Sequence, residues 1–247
     1  MSVIAFHGCS FTWGQGLQYY YLREKLGYTD KQLKLITPGT HNFDFFPKKV
    51  DDYRKENHFP NLVASHFDVP YILSLQGNGG DNESIIKRVY NPYSYHKDCV
   101  QLHVVQLSSP TRGSDSWTLP YLEKYQDKIV NPMWIIEAQV EMIIDMLEEM
   151  SDYNQPILFL CWYKEHAEYI KEHYPDKLIP IHLDGDVYDS FDTFEVDNWD
   201  FRGHSLLIQD DFSETNDTHF SKNGHKVISN SIIKKISKDI EFNIINI

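Results

Sequence analysis

Three kinds of group needed for acyl transfer occur in this chain, each in a segment suited to a turn. Ser10 lies in Gly8-Cys9-Ser10-Phe11-Thr12-Trp13-Gly14, a hydroxyl between glycines directly after an apolar run. Asp217-Thr218-His219, preceded by Asn216, sets a carboxylate beside an imidazole just ahead of an amphipathic run. Gly77-Asn78-Gly79-Gly80-Asp81-Asn82 offers a turn with spare backbone amides, and Ser108-Ser109-Pro110-Thr111-Arg112 adds hydroxyls and a cation. A serine becomes a nucleophile when a histidine takes its proton, an acid orients that histidine, and amide donors hold the oxyanion that develops on the attacked carbonyl. The set fits a serine hydrolase better than any member does alone. Ser10 by itself also fits a helix N-cap. The two roles are compatible, because a residue at a helix start keeps its amide unpaired within the helix, where it can face an oxyanion.

These residues need a scaffold that gathers them. Residues 3–7, 70–75, 102–107 and 156–162 are short runs rich in β-branched and aromatic side chains, with a weaker fifth run at 178–183, and each reads as a buried strand. Between them lie helical patterns at about 59–67, 83–90, 132–150, 164–173 and 222–240. In the clearest, Ile135, Ile136, Val140, Ile143, Ile144 and Leu147 recur at three- and four-residue spacing after an Asn131-Pro132 start signal. Strands alternating with helices predict a parallel sheet covered on both faces, with residues 3–7 central. Ligands of such sheets bind beyond the carboxyl ends of the strands, which is where the loops above fall. Stretches near 27–56, 108–128 and 184–215 are polar, aromatic-studded and too long for simple connections, so they read as loop insertions forming rims or lids. With no linker or internal repeat, the expectation is a single α/β domain over residues 1–247.

At this point the motifs carry a resemblance. Gly8-Cys9-Ser10-Phe11-Thr12 followed by Gly14 resembles the first sequence block of the SGNH/GDSL hydrolases, with Cys9 where the family usually has aspartate. The segment Gly77 to Asn82 resembles the second block, whose oxyanion glycine falls on Gly80. Asp217-Thr218-His219, with Gly224-His225 shortly after, looks like the last block. The matches run in the right order along nearly the whole chain, and variants with a cysteine in the first block resemble those carried by large tailed phages. The resemblance implies a three-layer αβα, flavodoxin-like SGNH hydrolase fold with a central parallel sheet of about five strands. It also implies Ser10 as nucleophile, His219 as base, Asp217 as its orienting acid, and the Ser10 and Gly80 amides as oxyanion donors.

Two departures stand beside it. The family's third block, Gly-x-Asn-Asp, supplies an asparagine donor to the oxyanion, whereas this chain reads Ser108-Ser109-Pro110-Thr111-Arg112. Asn82, Asn78 and Arg112 are the candidate replacements, while the asparagines also suit plain turn formation. The family spaces its acid and histidine as Asp-x-x-His, but the residue three before His219 is Asn216 and the acid is Asp217. Asp217 and Asn216 therefore both stand as partners for His219.

Other chemistries are weaker. Cys9 ends an apolar run and reads as a small packed hydrophobe rather than a rival nucleophile. His166 and His173 are seven residues apart on one predicted helix, about 10 Å, too far for one ion without other ligands, and read as a solvated helix face. Asp184, Asp186, Asp189, Asp192, Asp197 and Asp200 lack the alternation of a calcium loop and read as a solvated segment. The clusters Tyr19-Tyr20-Tyr21, Phe43-Phe45-Phe46 and Trp117 read as core, with sugar stacking as the minority role.

Composition limits the partners. With 23 Lys+Arg against 36 Asp+Glu the chain carries a net charge of −13, which repels phosphate backbones and anionic lipid surfaces. Three scattered cysteines fit a reducing compartment better than a disulfide framework. No apolar run approaches the ~18 residues of a membrane span and no signal peptide pattern precedes Phe6. The expectation is a cytoplasmic enzyme, virion-associated if phage-encoded, with no metal or cofactor and no nucleic-acid or membrane partner. Its expected substrate is a small or carbohydrate ester, cleaved through an acyl-enzyme. A non-catalytic binding or virion structural module on the same fold is the alternative.

Overall fold

Strand β1 (Val3–Gly8) is buried on both faces, as an internal parallel strand must be, and only His7 on it is polar. The computed structural model describes residues 3–35, 47–75, 80–90, 99–108, 133–151, 155–192, 206–212 and 218–239. After β1 come α1 (Ser10–Trp13), α2 (Leu17–Leu26), α3 (Asp30–Leu33), α4 (Lys48–Asn57) and α5 (Phe59–His66). Then follow β2 (Tyr71–Leu75), α6 (Asn82–Tyr90), β3 (Val100–Leu107), α7 (Met133–Ser151), β4 (Ile157–Cys161) and α8 (Lys164–His173). A hairpin of β5 (Ile181–Leu183) and β6 (Asp186–Tyr188), the short α9 (Ile208–Asp211) and the final α10 (Lys222–Asp239) complete the described strands and α-helices.

The central sheet has four parallel strands in the order β2-β1-β3-β4. The chain reverses its direction of winding between β1 and β3, and the crevice at such a switch point is where ligands of open α/β sheets sit. Helices flank the sheet, α5 packing with α10 and α6 with α7. On one face of β1, Phe6 meets Phe59 of α5 edge-on, ring centres 6.0 Å apart. On the other, the buried His7 donates from Nε2 to His103 Nδ1 at 2.9 Å, and His103 Nε2 donates to Gln155 Oε1 at 2.9 Å. The amide oxygen of Gln155 only accepts, so it fixes the direction of both bonds.

The structure corrects two expectations. Residues 178–183 do not form a fifth full strand. Leu178 makes a single parallel bridge to Phe159, and the Ile179 amide donates to the Phe159 carbonyl at 2.8 Å. Pro180 then follows with no amide to extend the ladder, and the chain leaves as the β5-β6 hairpin before Ser190 bridges Cys161. The second correction is that the stretch 27–56 is no plain loop, since it contains α3 and α4. Much of 108–128 and 184–215 lies outside the described residues.

Candidate active site

The turn that carries Ser10 is fixed by a glycine and a threonine. A Cβ at Gly8 would stand 2.0 Å from Thr12 Oγ1, so only glycine lets the buried Thr12 fold back over the end of β1. Thr12 Oγ1 in turn donates to Gln106 Oε1 on β3 at 2.5 Å. Cys9 takes the N-cap position of α1 without a side-chain cap bond, leaving Ser10 as the first helical residue. Gly14 closes the turn at φ 88°, with the left-handed backbone that glycine accepts freely. Ser10 is fully buried yet lies just beyond the carboxyl end of β1.

His219 arrives from the other end of the chain. Residues 206–208 pair antiparallel with 219–221: the Ile208 amide donates to the His219 carbonyl at 2.8 Å and the Ser221 amide to the Leu206 carbonyl at 2.9 Å. The pairing needs Gly224, where a Cβ would stand 2.3 Å from the Leu206 carbonyl oxygen. Held this way, His219 Nε2 lies 2.8 Å from Ser10 Oγ, a hydrogen bond spanning 209 residues of sequence. The imidazole rests against Phe11, ring centres 4.6 Å apart, and Phe11 packs in turn on Trp162 and Phe220 at 4.5 and 5.0 Å.

Gly80 completes the described part of the site. It is buried against the first turn, where a Cβ would meet the Gly8 carbonyl oxygen at 3.3 Å and Cys9 Cβ at 3.8 Å. Asp81 anchors the start of α6, its carboxylate accepting from the Ser84 amide at 2.8 Å and the Ser84 hydroxyl at 3.0 Å. Asn82 has another task than the oxyanion. Its Oδ1 accepts from the Ser108 amide at 2.6 Å, while Nδ2 donates to the Ser108 carbonyl at 3.0 Å and to Gln139 Oε1 at 2.9 Å. Both amide hydrogens are thus engaged, and the side chain acts as a short strand mimic that fixes the chain where it leaves β3. Asp217, Asn216, Asn78 and Arg112 lie outside the described residues.

The other candidate residues fall into structural roles. Cys9 is fully buried, its sulfur 3.8 Å from Gln106 Nε2. His225 is buried and accepts from the Phe59 amide at 3.3 Å, and burial, followed by the neighbouring His58, His219 and Arg54, holds its pKa well below the usual histidine value. His166 is not on a solvated face as its sequence suggests. It is fully buried on α8 with neither ring nitrogen bonded, and burial pushes its pKa down to about 4. His173 is exposed, and its Nδ1 donates to the Tyr169 carbonyl at 3.0 Å. Asp192 accepts from the Lys164 amide at the start of α8 and Asp189 pairs with Lys171, so these carboxylates brace local structure. Among the described residues no cluster of three or more metal-ligating side chains occurs, and no helix is long and apolar enough to cross a membrane. Tyr19 and Tyr20 are core, packed with Leu17, Leu33, Tyr53, Ile208 and Phe212, whereas Phe43, Phe45, Phe46 and Trp117 lie outside the described residues.

Sequence reasoning missed Thr12, Gln106, Tyr53, Arg54 and Lys222, all of which brace the two halves of the site. Thr12, four residues after Gly8, is the one with a local signal. Comparison with known proteins finds no protein-family profile, no curated protein and no solved structure that matches this chain.

Proposed function

We propose that this chain is a serine hydrolase of SGNH/GDSL type, with the three-layer, flavodoxin-like arrangement that its strand order suits. It cleaves a small ester, including an acyl group on a carbohydrate, through an acyl-enzyme. The observation that carries the reading is the 2.8 Å contact of His219 Nε2 with Ser10 Oγ at the carboxyl edge of the sheet. In the reaction Ser10 Oγ attacks the ester carbonyl while His219 takes its proton, and the oxyanion is held by the Ser10 and Gly80 amides. His219 then returns the proton to the departing alcohol. Water, activated by the same imidazole, releases the acyl group from Ser10. Asp217 orients the imidazole and stabilises its charged form. The test is turnover of p-nitrophenyl acetate and butyrate by the purified protein and by Ser10→Ala, with activity expected only where Ser10 is present.

One observation favours a second reading, a binding module that keeps the fold without fast chemistry. Both amide hydrogens of Asn82 are spent on Ser108 and Gln139. A missing oxyanion donor costs roughly 2.7 to 4 kcal/mol, or 100- to 1000-fold in turnover. Equal background rates for the wild-type protein and Ser10→Ala select this second reading.

A further inference from the structure

Helix α4 touches both halves of the candidate site through two consecutive residues. Arg54, almost fully buried, lays its guanidinium 3.8 Å above the Trp13 ring and donates to the Trp13 carbonyl, three residues after Ser10. The same carbonyl accepts from His58 Nδ1 at 3.3 Å, and Arg54 is held in place by Asp51 Oδ1 at 2.6 Å. Next to it, Tyr53 donates to Glu24 Oε2 at 2.8 Å and accepts from Lys222 Nζ at 2.9 Å, three residues after His219. Lys222 closes the triangle by donating to Glu24 Oε1 at 3.1 Å. Beside it, Tyr20 of α2 donates to Asp211 of α9 and Arg23 to the Asp211 carbonyl, which ties α2 to the element that follows the segment paired with His219.

We infer that α4 is a positioning element, Arg54 seating the Ser10 turn and Tyr53 seating the His219 segment, so that the spacing of the two reactive groups is set from outside the sheet. The inference rests on the hydrolase reading for its consequence but not for its geometry. Ser10 heads the short α1 and His219 lies in the segment before α10, with no strand in common, and a rigid helix contacting both is the means of fixing one against the other. Misplacement by about 1 Å costs on the order of 100-fold in rate. The ties are of a kind that resists such drift: charged or aromatic groups with several partners each, partly or wholly withdrawn from water.

The test uses the full chain with Tyr53→Phe, Arg54→Lys, Ser10→Ala and the wild type, all checked for native circular dichroism. The direct reading is the nitrogen-15 NMR signal of His219 Nε2, which reports its hydrogen bond to Ser10 whether or not the protein turns over an ester. Tyr53→Phe removes only one hydroxyl, and Arg54→Lys keeps the charge but loses the planar fork, so the two changes are mild and act on different ties. The expected result is that both shift the His219 signal toward its position in Ser10→Ala. In parallel kcat falls about 10- to 100-fold with KM within about twofold. A His219 signal and kcat at wild-type values, with only a lowered melting temperature, overturn the inference. If the wild-type protein shows no Ser10-dependent turnover the hydrolase reading fails by itself, and the NMR signal still decides the positioning role: shifted signals support it and unshifted ones refute it.

Discussion

At the residue scale the site rests on how few hydrogens each polar group has to give. Asn82 has two on Nδ2, and the structure sends them to Ser108 and Gln139. Replacing it with alanine removes its bonds to the Ser108 amide, the Ser108 carbonyl and Gln139 Oε1, and a buried hydrogen bond lost in this way costs about 1 to 3 kcal/mol. Asn82→Ala is therefore expected to lower stability in urea unfolding by that order, with lost activity following from the displaced end of β3. A variant of unchanged stability with a 100-fold lower kcat would instead make Asn82 an oxyanion donor. Asp217→Asn should leave the fold intact and cut turnover heavily, roughly 10⁴-fold if the amide fixes the wrong imidazole tautomer. An undiminished rate would pass the orienting role to Asn216 or another acceptor.

At the element scale, one glycine decides whether the segment carrying His219 can pack against residues 206–208. Gly224 faces the Leu206 backbone oxygen, which cannot swing aside as a side chain would. Gly224→Ala should cost about 1 to 3 kcal/mol, typical of overpacking, and should loosen the strap that carries His219. Thermal melting and the esterase assay together check this, and an alanine variant with wild-type values for both would refute it. The same scale shows what was legible beforehand. The four strands and the helices α5, α6, α7, α8 and α10 were legible because their buried faces are apolar and regularly spaced. That Ser10 and His219 meet was legible because they follow β1 and precede α10, beyond the carboxyl ends of the strands. Helix α4 was not, since Lys48–Asn57 buries Val50, Tyr53 and Arg54 and shows no apolar stripe. Helix α2 hides for a similar reason, its tyrosines running consecutively instead of at helical spacing. The role of Asn82 was hidden because its partner, the Ser108 backbone, is 26 residues away. The fifth strand failed at Pro180, whose effect depended on where along β4 the chain arrived.

At the scale of the whole molecule, buried imidazoles tie stability to pH. Burial and then the Arg54 charge push His58 down to about 3, and burial pushes His166 down to about 4. His7 is held well below its usual value by burial, then by His103 and Arg88, and His225 likewise by burial first. The unfolded chain takes up these protons near pH 6.5 while the native state refuses them. Stability is thus fully present above that pH and declines as pH falls toward 4, by up to about 1.4 kcal/mol per pH unit for each imidazole. The loss runs against the global charge, since acidification also relieves a net −13. Urea midpoints are expected to be flat from about pH 7 to 8 and to drop steeply below about 6. His166→Leu, which removes a ring with no hydrogen-bond partner on either nitrogen, should blunt that drop. An identical slope in the variant would mean that His166 gains no proton on unfolding in this range.

The proposed function requires Ser10 to form an ester with the substrate acyl group. The most direct measurement is rapid acid quenching of the protein with p-nitrophenyl acetate, followed by peptide mapping by mass spectrometry. The expected product carries one acetyl group on Ser10, absent from Ser10→Ala and strongly reduced in His219→Ala. No acetyl group at Ser10, or acetylation of Cys9 in its place, would contradict it.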